Sequence, residues 1–149
     1  MTVFLLAMVP VIELRGAIPL GAGYGLPLLE TYMLAVVGNI LPVPFILLFV
    51  RKVFDWLRKY EKPRRLVEKF EASFVKKAQK MKNITFWGLL LFVAIPLPGT
   101  GAWTGAGIAA LLEVRFRDAF LAVVLGVLFA GVVVTAIAYG FLGALTFLL

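Results

Sequence analysis

Two segments of this chain, Thr31 to Val50 and Ala119 to Leu149, contain no charged side chain at all. Each reaches the roughly 20 apolar residues that a helix needs to cross a hydrocarbon core. A soluble fold would have to cover both with polar surface, and charged residues are only 15% of the chain while 62% is hydrophobic, against roughly 45–50% apolar usage in ordinary domains. The mean hydropathy of +1.02 points the same way. The expectation is an all-α integral membrane protein, a single membrane domain over residues 1–149. Pro42 and Pro44 should kink the first span, at 31–50, and the second, at 119–147, has length to spare for tilt.

Charge placement sets the organisation. Of 15 Lys and Arg, 12 lie between Arg51 and Lys82, flanked by apolar blocks rather than gathered in a separate soluble unit. The positive-inside rule makes residues 51–82 a cytoplasmic linker in a multi-pass protein of a prokaryotic plasma membrane. Val53, Phe54, Trp56 and Leu57, then Leu66, Val67, Phe70, Phe74 and Val75, recur at helical spacing among the basic residues. The linker therefore reads as an interfacial amphipathic helix, interrupted near Pro63, that contacts anionic lipid. Nucleic acid is not an expected partner of the net charge of +7. No basic n-region precedes the first apolar run, so the start is read as mature structure rather than a leader.

The stretches ahead of the two spans differ from them. Residues 2–29 hold Glu13 and Arg15 near the middle, with Gly16, Pro19, Gly21, Gly23, Gly25 and Pro27 after them. Residues 84–112 are interrupted by Pro96, Pro98, Gly99 and Gly101. Irregular backbone at membrane depth is tolerated only where protein or a water-filled cavity satisfies its polar groups, so each stretch is expected to be a re-entrant helical hairpin. Residues 11–30 laid over 94–113 without gaps match at Ile12/Ile95, Leu14/Leu97, Gly16/Gly99 and a final Leu-Leu-Glu, and LAVVG at 34–38 matches LAVVLG at 121–126. With the linker inside, the halves become an inverted-topology repeat, each a hairpin plus a transmembrane helix. Four ordinary transmembrane helices are the plainer alternative.

The chain has no cysteine and no histidine, so disulfides, thiolate or imidazole metal sites and imidazole bases are absent. No cofactor is expected. Glu13 has no second carboxylate or nucleophile–base pair near it in sequence, and an enzyme is not expected. A charged residue at mid-membrane costs about 2.5–3.5 kcal/mol and commonly marks a transport path. Glu13 is the candidate proton-coupling group and Arg15 the candidate anion contact, both brought to a cavity if the chain turns at Gly16. A static ion pair at a hairpin tip is the plain alternative. Gly16, Pro19, Pro96, Pro98, Gly99, Thr100, Gly101 and Thr104 are candidate substrate-binding positions, since Gly and Pro open the backbone and Thr supplies hydroxyls. Asn39, an amide in an apolar span, needs a hydrogen-bonding partner, from another helix or from a ligand. Trp103 is read as sitting at an interface, with lining the cavity as the alternative. Glu30 and Glu113 are read as equivalent caps at the span entrances, and Arg115, Arg117 and Asp118 as the cytoplasmic edge of the second span. Gly126, Gly131, Gly140 and Gly143 suit close helix approach in a homodimer.

The motifs ELRGAIPLG at 13–21 and IPLPGTGAWTGA at 95–106 resemble the small multidrug export protein family of prokaryotic membrane proteins, over essentially the whole chain. That family is distantly similar to the DedA-type (VTT/SNARE-associated) membrane proteins. The resemblance implies paired re-entrant hairpins and proton-coupled movement of polyprenyl phosphate or a related lipid between leaflets. It makes Glu13 the acidic position, Arg15 the phosphate-facing base, and Pro96, Pro98, Gly99 and Gly101 the second tip. That tip departs from the DedA pattern in having no arginine. The leading expectation is a lipid-phosphate translocator. Exchange of protons for cationic amphiphiles at Glu13 and a non-transporting scaffold are the alternatives.

Overall fold

The computed structural model describes residues 1–57, 59, 68–69, 72–73, 76, 86–97 and 99–148. The amphipathic reading of the linker past Leu57, and Pro98, lie outside these residues. The described residues are helical, with no strand among them: α1 (Thr2–Met8), α2 (Glu13–Gly23), α3 (Leu28–Ile40), α4 (Val43–Leu57), α5 (Phe86–Ala94), α6 (Ala102–Leu111) and α7 (Phe116–Leu148).

Two stretches are long and apolar enough to cross a membrane, Leu28–Val50 and Phe116–Phe141. The first runs through α3 into α4, broken where Pro42 has no N–H to give the carbonyl four residues back. Their exposed side chains are large and apolar at helical spacing: Leu29, Met33, Val37, Leu41 and Phe45 on one, Leu121, Leu125, Phe129 and Val132 on the other. An exposed stripe of this size would drive association in water and is at rest in lipid.

The stretches 2–29 and 86–112 are not continuous helices. α1 and α2 have 7 and 11 residues, α5 and α6 have 9 and 10, so none exceeds about 17 Å at 1.5 Å per residue. α1 stops before Pro10, and α2 doubles back on it. A Cβ on Gly21, late in α2, would meet Val3 at 3.0 Å, at the start of α1. α6 doubles back on α5 likewise, with early Gly105 facing late Val93.

The same local chemistry recurs 88 residues apart. At the end of α2, Tyr24 N–H donates to Leu20 and Ala22 O, Gly25 N–H to Ala22 O and Leu26 N–H to Gly21 O. At the end of α6, Leu112, Glu113 and Val114 donate to Ile108 and Ala110, to Ala110 and to Ala109. Both caps pass through a positive φ, 72° at Gly25 and 58° at Glu113, which closes the helix as glycine ordinarily does. The gapless pairing of Glu30 with Glu113 therefore needs correction: Glu113 matches Gly25, and Glu30 lies in the first turn of α3. The first turns differ in length as well, spanning Val9–Ile12 in one half and the longer Ile95–Gly101 in the other. The LAVVG/LAVVLG match does keep the structural register at its last residue. Gly38 faces the Phe4 carbonyl and Ala7, and Gly126 faces the Leu90 carbonyl and Val93.

Packing follows a pattern shared by the halves. α1 lies on α2 and α3, and α5 lies on α6 and α7, while α2 crosses to α7 and α6 crosses to α4. The centre is small-chained: Ala7, Ala17, Ala35, Ala102, Ala106 and Ala122 are all fully buried. Small residues let backbones come close, which is how helices gain contact energy without a hydrophobic drive between them.

Candidate functional site

The turns of the two short-helix pairs meet. Val11 and Glu13, with φ of 86° and 48°, hold the first turn in a backbone region that L-residues rarely adopt. Such strain costs about 1–3 kcal/mol per residue and persists only where surrounding contacts enforce it. For Glu13 the enforcing contact is with the Trp103 amide, 90 residues away.

Glu13 is buried and its carboxylate stands at the N-terminus of α6, accepting the Trp103 N–H at 3.1 Å. It is a capping group supplied from another element, matched to the unpaired amides and positive end of the helix dipole. Gly101 makes room for it, since a Cβ there would stand 2.2 Å from Oε2.

Arg15, two residues on in α2, is spent on the second turn. Nη1 donates to Leu97 O at 2.8 Å and to Thr100 O; Nη2 donates to Thr100 Oγ1 at 2.9 Å and to Ile95 O at 3.3 Å. The Thr100 hydroxyl lies 2.8 Å from both the Ile95 and Leu97 carbonyls. Five guanidinium N–H groups in a planar fork suit such a clasp. Glu13 Oε2 is 4.0 Å from Nη1, a loose ion pair that offsets part of the cost of burying either charge.

A cavity of about 720 Å³ opens beside this contact, within the usual range of ligand pockets of ~300–1,000 Å³. Its polar wall is Glu13, Arg15, Thr100 and Thr104; Gly16, Gly99, Pro96 and Trp103 also line it, and Val11, Ile12, Ile46 and Val50 give it an apolar side. A second, smaller void lies between Glu13, Arg15, Asn39, Gly101, Ala102 and Val127. Both amide atoms of Asn39, which is 1% exposed, and Nε of Arg15 lack a hydrogen-bonding partner there. Each such buried group costs about 1–3 kcal/mol.

Of the residues singled out from sequence, Glu13, Arg15, Gly16, Pro96, Gly99, Thr100 and Thr104 come together around the cavity, and Asn39 and Gly101 around the void. Pro19 does not join them: it is exposed on α2, a helix whose other face is buried. The turn expected at Gly16 lies earlier, at Val9–Ile12, and Gly16 is inside α2. Trp103, read as interfacial with the cavity as the alternative, lines the cavity and has two polar roles, giving its amide to Glu13 and its indole N–H to the Met8 carbonyl at 3.2 Å. Its place in the Gly/Pro/Thr run was the available signal. Ile46 and Val50 carried none, being ordinary span residues that α4 lays against α6.

The family model described as "Putative small multi-drug export protein" matches residues 13–133. No curated protein and no solved structure matches the chain.

Proposed function

We propose, from the premise that the chain belongs to the small multi-drug export protein family, that it is a membrane transporter moving an anionic amphiphile, a lipid phosphate or a close analogue, in exchange with protons at Glu13. The observation that carries this reading is the Glu13–Arg15 pair, its carboxylate buried and its guanidinium partly so, in the wall of a ligand-sized and largely apolar cavity. A charged pair that served packing alone would not need a cavity beside it. An amphiphile needs both parts: a polar corner for its head and an apolar wall, Ile12, Ile46 and Val50, for its chain.

The cation-exchange reading is less well matched. Glu13 already accepts the Trp103 amide of α6, and the guanidinium 4.0 Å away would repel a cation. Arg15 has no idle Nη donor, so an anion reaching those nitrogens must displace acceptors of the second turn, whereas its Nε is unpartnered.

The transport reading places the halves as an inverted repeat with residues 51–82 cytoplasmic, so that 31–50 and 119–147 cross in opposite senses and the short-helix pairs re-enter from opposite sides. Matched caps 88 residues apart and a reciprocal exchange at the tips support it. Arg15 reaches carbonyls of the second turn, and Trp103, 88 positions later, reaches Met8 in the first half. The chain is proposed to work as a homodimer, with no enzyme activity and no cofactor, in a prokaryotic plasma membrane.

The test is leaflet-to-leaflet movement of a fluorescent lipid phosphate in proteoliposomes under an imposed pH gradient. Movement above protein-free liposomes in wild type, lost in Arg15→Ala and Glu13→Gln, is expected. Folded protein that moves none, while exchanging protons for a cationic dye, would replace this reading with the cation exporter.

A further inference from the structure

Glu13 stands where an anion would be bound. The first amides of a helix have no partner within it, and together with the dipole they form a ready site for negative charge. At α6 that place is filled by the protein's own carboxylate, which takes the Trp103 amide over a Gly101 with no side chain to obstruct it. An independent observation bears on the same spot. Asn39 Nδ2 and Arg15 Nε are buried without an acceptor, and both residues line the small hollow that Glu13, Gly101 and Ala102 also line. Buried donors without acceptors are uncommon and call for a reason. One amide of α6 and two side-chain donors thus belong to residues grouped around a single carboxylate, and only the amide is bonded to it.

We propose that the N-terminus of α6 is the anion subsite of the transporter, held by the Glu13 carboxylate until Glu13 takes a proton. Neutral Glu13 leaves the Trp103 amide, and a phosphate oxygen of the cargo replaces it, with Asn39 Nδ2 and Arg15 Nε as its side-chain donors. The proposal rests on the anion-transport reading and supplies its coupling. One proton enters on a carboxylate oxygen and one negative charge arrives on the phosphate, so the site's charge beside Arg15 is unchanged. No covalent bond is made or broken beyond the O–H on Glu13. The ionisable group facing Glu13 among the described residues is Arg15. α1, α5 and α6 contain no Asp, Glu, Lys or Arg, α3 faces the void with neutral Asn39, α7 with Val127 and Ala130, and α4 faces the cavity with Ile46 and Val50.

Full-length protein labelled with ¹⁵N-tryptophan in lipid nanodiscs reports directly, because the Trp103 backbone amide is one of the contested donors; Trp103→Phe assigns its resonance. The probes are dimethyl phosphate and dodecyl methyl phosphate, phosphodiesters whose single charge is constant between pH 5 and 8. In wild type the anion should shift the Trp103 amide, and its affinity should fall about tenfold per pH unit above the Glu13 midpoint, as expected for a ligand competing with deprotonation. Glu13→Gln should bind tightly at every pH, and Asn39→Leu should bind about tenfold more weakly with the pH dependence kept. Binding of the dodecyl probe alone identifies a lipid-borne head group, and equal binding of both a free phosphate, the subsite standing in either case. Anion binding that leaves the Trp103 amide unmoved, or that is equally tight at pH 5 and 8 in wild type, overturns the subsite but not anion transport. No binding of either probe to wild type or Glu13→Gln overturns both. Should Glu13→Gln not fold, the wild-type pH series decides alone.

Discussion

Replacing Arg15 by lysine keeps the charge and removes the fork. Arg15 reaches Leu97 O, Thr100 O, Thr100 Oγ1 and Ile95 O from two nitrogens. A single ammonium on a shorter stem reaches one or two of these. The loss is at least two hydrogen bonds from a charged donor, each worth about 1.5–3 kcal/mol where water does not replace them. The bonds to Leu97 and Ile95 are at the exposed side of the turn, so water recovers part of that loss, and about 2–3 kcal/mol is the expected net. At roughly 2–4 °C per kcal/mol for a chain of this size, Arg15→Lys should lower the apparent Tm in detergent by about 5–10 °C, read by the loss of monodisperse protein in size-exclusion chromatography after heating. The chain has no cysteine, so a single cysteine at Leu97 can report the same turn through its alkylation rate, which should rise several-fold in the lysine variant. An unchanged Tm and an unchanged alkylation rate would refute the clasp. Thr100→Val, which keeps the backbone acceptor and removes only Oγ1, should cost about a third to a half as much.

Gly38→Ala should be severe, because its Cβ would stand 2.5 Å from the Phe4 carbonyl on α1; overpacking of that kind costs about 1–3 kcal/mol. Gly23→Ala, with nothing within 4 Å, serves as the matched control in the same heating assay. Asn39→Leu removes two buried polar atoms that have no partner, so it should leave stability unchanged or raise it by up to about 1–2 kcal/mol while transport falls. A variant that lost both together would make Asn39 a packing residue. Tyr139→Phe should lose about 1 kcal/mol, since its hydroxyl lies 2.7 Å from Leu26 O and 2.8 Å from Thr31 Oγ1 and ties α7 to the start of α3; no change in Tm would show that tie to be idle.

Some of this was legible in the residues alone because the causes are local. Uncharged runs are set by the thickness of a bilayer, and the runs at 31–50 and 119–149 mark the two long spans wherever else the chain goes. Pro42 and Pro96 fall where helices have stopped, as residues without an N–H tend to, whereas Pro19, in a stretch that looked interrupted, lies inside α2. Glu13 and Arg15 stand out by composition, as the charged residues in an apolar stretch. Their roles were not legible. Whether an acid caps a helix, pairs with a base or faces a cavity depends on partners that α2 meets across the fold, at Thr100 and Trp103, more than 80 residues away. Only the tertiary structure brings the turns together, because long-range contacts come from how helices pack, which periodicity does not encode. It likewise corrected the repeat register, where Gly25 and Glu113 share a left-handed backbone without sharing a side chain. Matching letters followed apolar composition, whereas the caps followed where each helix has to end.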